Sequence, residues 1–75
     1  MGRPGTADER RARKEAHAWF DQLWKGQRPR ARSRREAYGW MHAMGLPRHI
    51  SEMTVAQCEE LVRLVKARLA AQGKL

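Results

Sequence analysis

Apolar residues fall at helical spacing in three separate runs of this chain, and no stretch alternates with the period of a strand. That pattern requires an all-α fold. Thr6-Ala7-Asp8-Glu9 has the form of a capping box, and Asp8 and Glu9 complement a positive helix start. Ala12, Ala16, Trp19, Phe20 and Leu23 then lie on one helix face, with Trp24 beside it. Gly26 and Pro29 stop the run. The spacing predicts a first helix over about 7–25.

Ser33-Arg34-Arg35-Glu36 has the form of a second capping box, followed by Ala37, Trp40, Met41 and Met44 on one face. Gly45-Leu46-Pro47 ends that run, so the second helix is expected at about 34–44. Gly39 inside it reads as a tolerated surface glycine, at roughly 1 kcal/mol against Ala. Thr54-Val55-Ala56-Gln57 opens the third run; Cys58, Leu61, Val62, Val65 and Leu69 form its stripe, Leu64 widens it and Gly73 closes it. The third helix is expected at about 55–71.

Three amphipathic helices with short connections make a small three-helix bundle. The expected core is Trp19, Phe20, Leu23, Trp40, Met41, Met44, Leu46, Ile50, Leu61, Val62, Val65 and Leu69. Residues 6–73 form a single helical domain, with a disordered N-terminus at 1–5 and a basic loop at 26–33. A chain of 75 residues buries only about 60% of its unfolded surface. Homodimerisation through a leftover apolar strip, with Trp24 and Leu64 as candidates, is one route to more burial.

Size leaves no room for an α/β enzyme with a cofactor cleft. No apolar run approaches the ~20 residues of a membrane span, and Met1 to Glu9 lacks a signal-peptide stretch. A cytoplasmic protein without membrane contact is expected. The lone cysteine, Cys58, excludes an internal disulfide and a cysteine-only zinc site. His42, His49 and Cys58 have ligand chemistry, but their spacing is wide and a fourth ligand is missing. The expected state is no metal and no cofactor, with Cys58 buried and inert and His49 hydrogen-bonded in the loop before the third helix. His17 falls on the exposed side of the first helix. No phosphate loop, HExxH or paired-carboxylate pattern is present, which argues against an enzyme.

The net charge is +8, with Lys+Arg 16 against Asp+Glu 8. Residues 1–32 carry +5 of it, and the stretch RPRARSRR places five arginines within eight residues. Guanidinium forks bind phosphate bidentately, and a neighbouring helix N-terminus favours anions. The candidate nucleic-acid-binding residues are therefore Arg28, Arg30, Arg32, Ser33, Arg34 and Arg35. Arg10 and Lys14 on the polar side of the first helix extend the patch, as does Lys25. Trp24 and Tyr38 lie beside basic residues and suit either core packing or base stacking. The plain alternative is a solvated basic linker. A helix-turn-helix reader fits poorly, because Glu59 and Glu60 sit near the start of the third helix and the connection from Gly45 to Thr54 is long.

Three stretches, GTADERRARKEAHAWFDQLWK, SRREAYGWM and HISEMTVAQC, resemble the helical C-terminal part of a phage and prophage family called zinc-finger-containing domain proteins, whose function is unassigned. The matching positions are Ala16, His17, Phe20, Asp21, Leu23, Trp24, Lys25, Ser33, Arg34, Glu36, Ala37, Tyr38, Trp40, His49, Ile50, Gln57 and Cys58. The similarity spans about residues 5–62. In that family a cysteine zinc module precedes the helical part. The paired cysteines are absent here, so a zinc role does not carry over. The resemblance implies a phage or prophage origin, and hence a host-cell cytoplasm. The expected function is a non-enzymatic basic module that contacts DNA or RNA phosphates. The alternative is a small phage inhibitor docking on an acidic host or defence protein surface.

Overall fold

The computed structural model describes residues 7–26 and 29–74. It contains α1 (Ala7–Asp21), α2 (Arg30–Ala43), a 3-10 turn at Ile50–Glu52 and α3 (Val55–Ala71). No strand occurs among the described residues. The all-α, three-helix architecture is the one the periodicity requires. Thr6 and the N-terminal residues 1–5 lie outside the described residues, so the first capping box and the disordered start fall outside them too.

The third helix matches its expected bounds. The Thr54 hydroxyl accepts from the Gln57 backbone N–H at 3.1 Å, and the Gln57 side chain accepts from the Thr54 N–H at 2.9 Å. At the other end Gly73 takes φ +75°. Its N–H donates to the Ala70 carbonyl at 3.0 Å, and the Lys74 N–H donates to the Leu69 carbonyl at 2.8 Å. This Schellman pair satisfies carbonyls that the helix end would otherwise leave open. Thr54→Ala removes the cap and is expected to cost about 1 kcal/mol. That lowers the melting midpoint by about 4–8 °C in a domain this small, which a circular dichroism melt reads directly.

The same device ends α2. Gly45 sits at φ +85°. The Leu46 N–H reaches the Met41 carbonyl at 3.4 Å, and both side chains are buried. Met44 is consequently the last half-helical residue, not a core position, and is 49% exposed. Trp19 and Trp40 are likewise half-buried at the rim of the core. Ala16, Ala37, Cys58 and Met53 complete the buried set. Met53 escapes the helical pattern because the 3-10 turn directs it inward.

Two boundaries differ from the sequence expectation. The first helix ends at Asp21, not near 25, where i→i+3 bonds from Gln22, Leu23 and Trp24 tighten the chain into a turn. That turn buries Leu23 and seats Trp24 against the core. The second helix starts at Arg30, not near 34. Pro29 holds the extended cap conformation (φ −71°, ψ 137°), and the Ser33 N–H donates to the Pro29 carbonyl at 3.0 Å. Arg and Ala are strong helix formers. They carry the helix back to the proline, so the Ser33-Glu36 capping box does not form. Residues 30–33 of the expected basic loop are helical.

The principal pairing is α1 against α3, with α1 also touching the 3-10 turn. Arg13 fixes that second contact: its Nε and Nη2 donate to the Met53 carbonyl at 3.3 and 3.2 Å. Glu9 lies 3.9 Å from the same guanidinium. Phe20 of α1 meets Tyr38 of α2 edge-on, with ring centroids 4.8 Å apart. Cys58 is buried as expected, and burial pushes its thiol above the ordinary value despite the lowering effect of Arg13.

Candidate functional site

The start of α2 is electrostatically unusual. Arg30, Arg32, Arg34 and Arg35 occupy four of its first six positions, its first turn has no acidic residue, and no side chain caps it. A helix N-terminus already carries about half a positive charge. Cations placed there are each unfavourable by about 0.3–1 kcal/mol. The fold offsets part of this. Arg32 pairs with Glu36 at 3.5 Å along the exposed face. Arg34 lies over two rings, 5.6 Å from the Trp24 centroid and 5.2 Å from that of Tyr38. Other cations are committed to aromatic faces in the same way: Lys66 over Trp19 at 4.8 Å and Arg68 over Trp40 at 5.1 Å.

Arg35 makes no ion pair or ring contact among the described residues. It shares one side of α2 with Tyr38, Gly39 and His42, at spacings of three, four and seven residues from it. The segment after α2 brings Arg48 and His49 to the same side. Together these six residues line an open concavity of about 460 Å³ with no carboxylate on its walls. Arg48 and His49 are exposed. His49 contributes only its carbonyl to the backbone, accepting from the Glu52 N–H at 3.0 Å. Its side chain makes no hydrogen bond among the described residues, and the residue lines the concavity.

The candidate residues thus separate into groups. Arg34, Trp24 and Tyr38 come together, but as packing: both rings are half-buried against the core, and the faces under Arg34 are not open to a base. Arg32 and Arg35 are exposed on α2, and Ser33 is half-buried within it. Arg28 and the Arg30 side chain lie outside the described residues. Arg10 and Lys14 are exposed on α1, and Lys25 is exposed in the turn after it. No hydrogen bond, ion pair or ring contact among the described residues joins these three to the α2 arginines. Sequence reasoning passed over Arg48, Gly39 and His42 as one site. The signal that could have found part of it is the Arg35-Tyr38-Gly39-His42 spacing, a single helix side. At the start of α3, Glu59 and Glu60 are exposed, and Glu60 accepts from Arg63 Nε at 3.0 Å. That bond holds the Glu60 carboxyl below its ordinary range, so an acidic charge stands where a recognition helix would meet DNA.

Zinc is the metal implied by the resemblance noted above. A structural zinc site needs four ligands, usually with paired cysteines. Cys58 is the single cysteine and is 1% exposed within the hydrophobic core. No group of three or more His, Cys, Asp or Glu side chains among the described residues could hold a metal. The residues present therefore do not fit a zinc centre. No helix among the described residues is long and apolar enough to cross a membrane.

No curated protein and no solved structure matches the chain. The family described as a zinc-finger-containing domain matches residues 1–68, which take in α1, α2 and most of α3. Over that span the described residues build a helical bundle, and the chain belongs to the zinc-finger-containing domain family.

Proposed function

We propose that this chain is a non-enzymatic nucleic-acid-binding module, of phage or prophage origin as the resemblance implies, that holds strand phosphates on the arginine-rich start of α2. One observation carries the reading. The helix opens with arginines at its positive end, uncapped and without a first-turn carboxylate. Nothing among the described residues neutralises that end fully, and a phosphate would. Backbone N–H groups and guanidinium forks converge on the chemistry of one oxyanion. Aromatic stacking plays little part, since Trp24 and Tyr38 are held by the core and by Arg34.

Such binding is driven by counterion release and tolerates any sequence. Fluorescence anisotropy with an arbitrary duplex and an arbitrary single strand tests it. Affinity is expected to fall steeply with salt, by about 10³-fold between 50 and 200 mM if about six phosphates are contacted. Absence of binding at low salt by the folded protein overturns the proposal. The basic face then points to an acidic protein surface.

A further inference from the structure

We infer that the concavity between α2 and the 45–49 segment receives a single phosphate-bearing nucleotide unit of a nucleic-acid strand, and so makes the module prefer flexible single strands or strand ends to regular duplex. The inference rests on the nucleic-acid reading above and adds a site to it.

The charge on the walls selects the ligand class. Arg35 and Arg48 are guanidiniums with no ion pair or ring contact among the described residues, as are Arg10 and Arg11 on α1, whereas Arg13, Arg32, Arg34, Arg63 and Arg68 all have partners. His42 and His49 add ring N–H donors, and the Tyr38 ring forms a wall held rigid by Phe20 and Arg34. Forked donors on two sides of one hollow suit a tetrahedral phosphate. A second concavity, of about 410 Å³, is lined by Asp8, Glu15 and Glu59 with a single Arg11. Hollows on this surface are therefore not uniformly basic, and the α2 hollow stands out by its charge.

Gly39 supplies an independent observation. It lies inside α2 at an ordinary helical conformation, and a Cβ there would meet nothing within 4 Å. No packing or turn requires glycine, although glycine weakens a helix interior. Gly39 lines the hollow beside Arg35 and His42, where the missing side chain adds room. A volume of about 460 Å³ lies within the range of small-ligand sites and accepts one nucleotide, not a double helix. A single strand can splay one unit into it, whereas stacked and paired nucleotides of a duplex cannot.

Two variants outside the arginine-rich start test the site, Arg48→Gln and Gly39→Ala. Affinities for a 5′-phosphorylated single strand and for a matched duplex are measured by anisotropy at constant salt. Arg48→Gln is expected to weaken single-strand binding about tenfold, the effect of losing one charged hydrogen bond, Gly39→Ala to weaken it less by placing a methyl in the hollow, and both to leave duplex binding within about twofold. Gly39→Ala should also raise the thermal midpoint, which separates a filled site from a damaged fold. If both variants bind the single strand as wild type does, the concavity is overturned while the phosphate-binding module stands. Titration of wild type with AMP and with adenosine, followed by the His42 and His49 ring resonances, is the second arm. AMP should move them and adenosine should not; an AMP titration without effect overturns the site. Strands unbound at low salt with AMP still bound overturn the strand reading alone.

Discussion

Phe20→Ala is expected to leave the chain largely unfolded at 25 °C. Phe20 is 0% exposed and is the side chain through which α1 reaches α2, edge-on to Tyr38 at 4.8 Å. Truncating a buried phenylalanine costs about 3–5 kcal/mol through lost transfer energy and the cavity left behind. The aromatic pair adds about 0.5–1.5 kcal/mol. A single thin core in a chain of this size supplies only about 3–5 kcal/mol in total, so the loss matches the whole reserve. The damage would also spread, because Tyr38 is one of the two rings beneath Arg34. A far-UV circular dichroism melt and a urea titration read the outcome. A cooperative transition within a few degrees of wild type would show that the α1–α2 contact carries little of the fold. Trp24→Ala, at a half-buried rim position, should be much milder.

The third helix was fully legible because its signals are local. Thr54 and Gln57 satisfy each other across one turn, and Gly73 alone supplies the left-handed stop. The start of α2 was not legible because two local signals compete. Ser33 and Glu36 spell a capping box, but Pro29 fixes a helical entry four residues earlier, and the intervening arginines and alanine have good helix propensity. The correction matters for function. Arginines on a helix hold fixed directions, so Arg34 lies over aromatic rings while Arg32 pairs with Glu36 and Arg35 lines the concavity. A loop would have given all of them the same freedom.

Met44 and Met53 illustrate a second limit. Periodicity puts Met44 on the apolar stripe, but Gly45 reverses the chain there and Leu46 takes its place over Met41. Met53 belongs to no helix, and only the 3-10 turn buries it. The concavity lies beyond local pattern for the same reason. Its α2 side follows from spacing, but Arg48 and His49 join it only because the Schellman turn and Pro47 redirect the chain.

Replacing Arg28, Arg30 and Arg32 together by Ala should sharply reduce nucleic-acid affinity without loss of stability. Arg30 and Arg32 stand in the first turn of α2, and Arg28 precedes it in the sequence. If each holds one phosphate, the slope of log affinity against log salt falls by about 0.9 per contact on duplex, or about 2.7 in all. The Arg32–Glu36 pair is exposed, with side chains at 75% and 67% of full accessibility, so its loss is worth only about 0.3–0.5 kcal/mol. Against that, removing cations from the positive helix end returns about 0.3–1 kcal/mol for each. The melting midpoint should therefore hold or rise as binding falls. Arg34→Ala is the contrasting variant. Arg34 spans the Trp24 and Tyr38 rings, and each exposed cation–π contact contributes about 0.5–1 kcal/mol. Its loss should lower the midpoint and change the salt slope by no more than one contact. Stability and salt slope measured on the same samples separate binding arginines from packing arginines. A triple variant with the wild-type slope would remove the start of α2 from the interface. Other cations without a partner among the described residues, such as Arg35 and Arg48 around the concavity and Arg10 and Lys14 on α1, would then have to carry the phosphates.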